Sequence, residues 1–170
     1  MLKNILVAMM MVGSASAYTS DTDLIKQGEG FRACTYKDTK GIKTVCYGFN
    51  LERGATAKNA VSAAGGDYNS LINGGCATQS VCNKLLDKEV QSARSTVRSQ
   101  YGSISCPAAQ AVVVDLAYNL GGGGLAQFKK FKANIQAKNW NGAAAELANS
   151  SYCRQVGSRC TRNQKQIKSC

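Results

Sequence analysis

The chain has 170 residues, 44% of them hydrophobic, with 21 basic against 10 acidic side chains, eight cysteines, no histidine and a net charge of +11. That length allows one ordinary domain with a sizeable core, or two small lobes sharing one. The lack of histidine and of any Cys-x-x-Cys spacing argues against a structural zinc site. The positive field attracts polyanions such as nucleic acid, anionic membranes or an acidic wall polymer, and no nucleic-acid-binding motif singles out the first of these.

Residues 1–17 read as an export signal. Lys3 is the basic start, ILVAMMMV (5–12) the apolar run, and Ala15-Ser16-Ala17 the small-residue cleavage site. The apolar run is far short of the roughly 20 residues that a spanning helix needs, which argues against a membrane anchor. Cleavage before Tyr18 leaves 170 − 17 = 153 residues (18–170), one domain with a net charge of +10 once Lys3 is gone. Cys34, Cys46, Cys76, Cys82, Cys106, Cys153, Cys160 and Cys170 all lie in this part, and an even count behind an export signal reads as four disulfides in an oxidising compartment.

In TSDTDLIKQGEGF, one of Thr19, Ser20, Asp21 or Thr22 is expected to cap a short helix that runs through Leu24 and Ile25, meets Gly28 and Gly30 as stops, and ends near Glu29. Next, FRACTYKDTKGIKTVCYGFN alternates apolar with polar residues on both sides of KDTKG, the pattern of a hairpin closed by Gly41. With the turn centred on Lys40, Tyr36 faces Thr44 and Cys34 faces Cys46, so a Cys34–Cys46 bridge is expected across the hairpin. Residues 53–75 are small and polar, giving at most one short helix and a loop. Thr78 caps a long helix to about Tyr101, with Leu86, Val90, Ala93 and Val97 on one face.

Pro107 suits the first position of a helix that is apolar almost all round and therefore buried, ended by Gly121–Gly124. Those glycines lack the Lys and preceding strand of a P-loop and read as a flexible loop. Three further short helices follow, over LAQFKKFKANIQAKN, NGAAAELANSS and RCTRNQKQIK. The class is α+β, a small β-hairpin region followed by a mostly helical body. A short loop favours a Cys76–Cys82 bridge, and Cys153–Cys160 with Cys106–Cys170 complete the set, one of 105 formal connectivities.

Glu29 at a helix exit, Asp38 in the hairpin turn and Thr44 on the returning strand lie on three elements that can converge on one groove. Two carboxylates flanking a groove are what glycosidic hydrolysis requires, and a hydroxyl beside the second helps orient water. As spacing alone the signal is weak, since a helix-end Glu, a turn Asp and a strand Thr are ordinary.

The stretch GEGFRACTYKDTKGIKTVCYGFN (28–50) nevertheless resembles the catalytic segment of the phage-type lysozymes, with Glu, Asp and Thr at matching spacings. The likeness continues in KLLDKEV (84–90), YNLGGGGLAQF (118–128) and NWNGAAAELANSSYCRQVGSRCTRN (139–163), and so covers nearly all of the mature chain. It implies two lobes joined by a long helix, without metal or organic cofactor. It also implies hydrolysis of the β-1,4 bond between N-acetylmuramic acid and N-acetylglucosamine in peptidoglycan, with inversion. Glu29 is then the general acid, and Asp38 with Thr44 activates water. Tyr118 and Asn119 fall where the family contacts sugar, Gly48 where backbone approaches substrate, and Arg159 close to the catalytic Glu.

Two departures stand out. Phe49 follows Gly48 where phage members carry a His paired with an acid on the long helix, so Glu89 must find a Lys or Arg or stay in water. Phe49 could instead wall off the acid. Export with eight cysteines suggests a secreted, monomeric version used against bacteria for defence or digestion, with no nucleic-acid partner and no membrane insertion. Arg159 could equally be a basic residue on a solvated helix face. Asp115, inside the apolar helix, reads as a hydrogen-bonded structural acid, and Trp140 as packing.

Overall fold

The computed structural model describes residues 18–170, so the export signal expected over 1–17 lies outside the described residues. Helix α1 (Asp21–Glu29) begins where the Ser20 hydroxyl accepts from the Asp23 N–H and ends where the Gly30 N–H donates to the Lys26 carbonyl. Gly28 does not stop it. That glycine lies inside the helix, and its role is a different one.

Strands β1 (Arg32–Lys37), β2 (Lys43–Cys46) and β3 (Phe49–Asn50) form an antiparallel sheet in that order. Tyr36 faces Thr44 as expected, but Arg32 faces Cys46, so a bulge puts two extra residues on β1 between these pairs. The expected Cys34–Cys46 and Cys76–Cys82 bridges therefore do not form. Cys34 is carried out of register and pairs with Cys76, where Thr35 N–H donates to the Gly75 carbonyl and Ala77 N–H to that of Ala33. Cys46, at φ 62°, turns into the core and joins Cys82. Cys106–Cys170 and Cys153–Cys160 pair as expected.

The stretch expected to hold at most one short helix holds two, α2 (Ala55–Ala63) and α3 (Tyr68–Ile72). Helix α2 buries only Ala57, Ala60 and Val61, too faint an apolar signal to read, while Asp67 caps α3 by accepting from Asn69 and Ser70 N–H. Helix α4 (Gln79–Tyr101) is capped by Thr78. Helix α5 (Pro107–Ala126) starts on Pro107, and its backbone breaks at Gly121 (φ 67°) before one more helical stretch. Helices α6 (Lys129–Gln136), α7 (Trp140–Ala148), α8 (Ser151–Val156) and α9 (Ser158–Ile167) complete the helical lobe, with α9 packing directly on α5. Of these, α8 had no separate signature in the sequence.

Buried side chains form two clusters. The smaller joins the sheet, α2, α3 and the first turns of α4 through Val45, Phe49, Leu51, Val61, Leu71 and Leu85. The larger wraps α5 and includes Leu24 and Ile25 of α1, with Trp140 packed at its edge. Helix α4 serves both, giving Val81, Cys82 and Leu85 to one and Leu86, Val90, Ala93 and Val97 to the other. The fold is thus α+β in two lobes. Helix α1, although N-terminal, is rooted in the helical lobe, so Glu29 at its end belongs to one lobe while Asp38 and Thr44 belong to the other.

Candidate active site

Glu29 ends α1 against two neighbours that fix its carboxylate. Arg159 Nη1 donates to Oε1 at 2.8 Å, with the side chains only 8% and 19% exposed. The other oxygen, Oε2, faces Gly48: a Cβ there would lie 2.9 Å from it. Gly48 has φ +79°, so both the turn and the close approach require glycine. One oxygen is therefore tied down and the other faces bare backbone.

Arg159 comes from the first turn of α9 and spans the helical lobe. Its Nε and Nη2 donate to Asp115 at 3.2 and 2.7 Å, and Asn163 Nδ2 adds a third donor to Asp115 at 2.7 Å. Asp115 is fully buried on α5, so it is the hydrogen-bonded structural acid its setting suggested. Arg159 is not a solvated residue either. Burial works against its charge, but the bonds to Asp115 and the proximity of Glu29 more than offset this and hold its pKa above the ordinary value. Gly28 makes the approach possible, because a Cβ there would meet the guanidinium carbon at 2.5 Å. Sequence reading missed that role; the only available signal was a glycine inside an otherwise helical run.

Asp38 sits in the hairpin turn as expected. Its Oδ1 accepts from Lys40 and Ile42 N–H at 2.8 and 2.9 Å, leaving Oδ2 without a protein donor among the described residues. Thr44 is buried and its hydroxyl donates to the Ile42 carbonyl at 3.0 Å. Tyr36, across the strand pair from Thr44, reports on both acids: burial raises its pKa, Arg32 counters this, and Glu29 and then Asp38 raise it further. The Arg32 guanidinium covers the Tyr36 ring at 4.5 Å.

Tyr118 meets the small lobe, its hydroxyl donating to the Tyr47 carbonyl at 2.7 Å. Burial raises its pKa, helped by the charges of Glu29 and Glu89. Tyr47 itself packs against both buried clusters. Asn119, next in the chain, is exposed. Phe49 is buried in the small-lobe core, and Arg53 stacks on its ring at 4.6 Å while holding Glu89 through two bonds of 3.1 and 3.0 Å. Arg53 is thus the partner that Glu89 needed.

Comparison with known proteins fits this geometry. Residues 26–164 match the family described as phage lysozyme. A protein described as "Probable T4-type lysozyme 2" from Dictyostelium discoideum is 24% identical over 151 residues, covering 82% of this chain and 88% of its own. Among the described residues, no helix is long and apolar enough to cross a membrane.

Proposed function

The chain belongs to the phage lysozyme family, and on that premise we propose that it is a muramidase cutting the β-1,4 bond between N-acetylmuramic acid and N-acetylglucosamine in bacterial peptidoglycan by inversion. The carrying observation is the Glu29 carboxylate, with Oε1 fixed by Arg159 and Oε2 facing Gly48.

In this reading Glu29 Oε2 delivers its proton to the glycosidic oxygen as the C1–O bond breaks. Water attacks C1 from the opposite face and gives its proton to the free Oδ2 of Asp38. The two backbone N–H groups on Oδ1 aim that carboxylate, and the Thr44 oxygen, whose hydrogen is committed to Ile42, accepts a hydrogen from the same water. Tyr118 and Asn119 on the α5 side, and Gly48 on the other, are the sugar-contacting positions. Arg159 is a positioning residue for the acid.

Four disulfides suit an oxidising compartment, and we read the chain as a secreted monomer, trimmed to start at Tyr18, acting in defence or digestion. Mass spectrometry of the secreted form checks the cleavage point. Glu29→Gln should lower lysis of a cell-wall suspension by at least about a hundredfold while leaving the melting temperature in place. Full lysis by that variant would overturn the acid assignment. The net charge of 11 − 1 = +10 on residues 18–170 favours a second reading, envelope disruption by charge alone, under which the variant still kills bacteria. The same carboxylates would also serve a hydrolase of chitin-like polymers, which differs only at the sugar subsite, and comparing reducing ends released from peptidoglycan and from chitin oligomers separates the two.

A further inference from the structure

Behind the Glu29–Arg159 pair, where α1 meets the start of α9, an open recess of roughly 510 Å³ is lined by Gln27, Gly28, Val156, Ser158, Arg159 and Arg162. No acid lines it. Gly28 lets the Arg159 guanidinium lie directly against the α1 backbone at the wall of this recess, since a Cβ there would stand 2.5 to 2.8 Å from three of its atoms. The Arg159 donors used by the protein are Nη1 on Glu29 and Nε with Nη2 on Asp115, so each terminal nitrogen keeps a second N–H.

Arg162 lines the same recess and is held only by neutral acceptors, the Gln27 amide oxygen at 3.2 Å and the Leu24 carbonyl at 3.0 Å. Its Nε is buried and has no partner. A cation that donates only to neutral oxygens, with one donor stranded, has room for an anionic acceptor. Ser158 opens α9, whose N-terminus has no side-chain cap, so its first N–H groups add partial positive charge on that side. From 147 to 170 the chain carries Arg154, Arg159, Arg162, Lys165 and Lys168 and no Asp or Glu.

We propose that this recess binds a phosphoryl oxyanion, gripped by the terminal N–H groups of Arg159 and Arg162 with the Ser158 hydroxyl and the Gln27 amide at its rim. The facing charges are Glu29 and Asp115, both already engaged through Arg159, which leaves Arg162 as the uncompensated cation. Two guanidinium forks suit a tetrahedral oxyanion better than a single-atom ion, which could engage only one donor of each fork. The site does not rest on the muramidase reading, and its test does not involve lysis.

The experiment is calorimetric titration of the full chain with inorganic phosphate at constant ionic strength, with chloride and acetate as controls and diethyl phosphate as a phosphodiester probe. Phosphate should bind one to one. Arg162→Ala, and separately Ser158→Glu, which tethers a carboxylate at the rim, should each weaken it by at least about tenfold. If Arg162→Ala loses its fold because α1 is no longer braced, Ser158→Glu decides alone, since its exposed side chain has no structural contact to lose. Diethyl phosphate binding as well as phosphate assigns the recess to a phosphodiester polymer, and phosphate binding alone assigns it to the free ion. No heat beyond the chloride and acetate controls, or unchanged affinity in Ser158→Glu, overturns the proposal.

Discussion

The small lobe buries a cluster of 12 residues, several of them alanines, under strands of six, four and two residues, whereas the helical lobe buries 24 around α5. Half the apolar core leaves less free energy to set against chain entropy. The cross-links are placed differently as well: the small lobe holds both ends of Cys34–Cys76, and Cys46–Cys82 ties its sheet to α4, with separations of 42 and 36 residues. In the helical lobe Cys153–Cys160 spans only seven residues beside helices already packed, and Cys106–Cys170, 64 residues apart, fastens the last residue to the start of α5. The sheet region that carries Asp38 and Thr44 is thus pinned by two bridges over a small core, whereas the bridges of the lobe that carries Glu29 and Arg159 sit at a short loop and a chain end around a cluster twice as large.

Removing bridges tests this most strongly. Replacing Cys46 and Cys82 together by Ala should lower stability by about 4 kcal/mol, and replacing Cys153 and Cys160 by about 2 kcal/mol, from the loop lengths alone. Urea denaturation measures both, and hydrogen exchange should show the first variant losing protection in the sheet while α5 keeps it. A larger loss from the second pair would break the comparison.

The join between the lobes is the next target. Tyr118→Phe removes the hydroxyl that donates to the Tyr47 carbonyl and should cost about 1 kcal/mol, with faster amide exchange around residues 46–50 than within α5. Equal loss of protection in both regions would mean that the bond does not couple them.

The smallest effect is electrostatic and lies in the helical lobe. Burial opposes the charge of Asp21, but bonds and attraction from Arg94, with the Thr22 N–H, outweigh it and hold its pKa below the ordinary carboxylate value. A carboxylate with a depressed folded pKa stabilises the fold above its unfolded pKa and loses that contribution as pH falls through the folded one. Arg94→Ala should therefore be less stable than the parent by under about 1 kcal/mol at pH 7, Arg94 being half exposed. The gap should close below about pH 4. A gap that persists in acid would show that Arg94 contributes packing and not charge.

Signals that act within a few residues were legible. Ser20 and Thr78 cap their helices through their own hydroxyls, Pro107 opens α5, and the α4 stripe at 86, 90, 93 and 97 is buried as its spacing required. The Tyr36–Thr44 register also followed from the turn. Two residues further along β1 the same logic failed, because a bulge obeys packing against the segment at 74–77 and has no marker in the alternation. That the stretch 53–75 holds two helices, α2 and α3, and not at most one was hidden for a related reason: alanines and a side-chain cap at Asp67 carry little periodic contrast.

In the candidate site, Glu29, Asp38 and Thr44 were visible only as residue types at a spacing, and the resemblance supplied their roles. The partner of Glu89 could be named as a basic residue but not located, since Arg53 is 36 positions away and placed by stacking on Phe49.

By itself the sequence determined where α1, the hairpin, α4 and the buried α5 lie, because capping, turn closure and amphipathic spacing are settled between near neighbours. Tertiary structure alone decided which cysteines meet, which glycine makes way for Arg159, and that Arg159 joins Glu29 to Asp115 across sequence separations of 130 and 44 residues. Those pairings depend on where two lobes and a bulge bring the chain in space, and no local pattern encodes that distance.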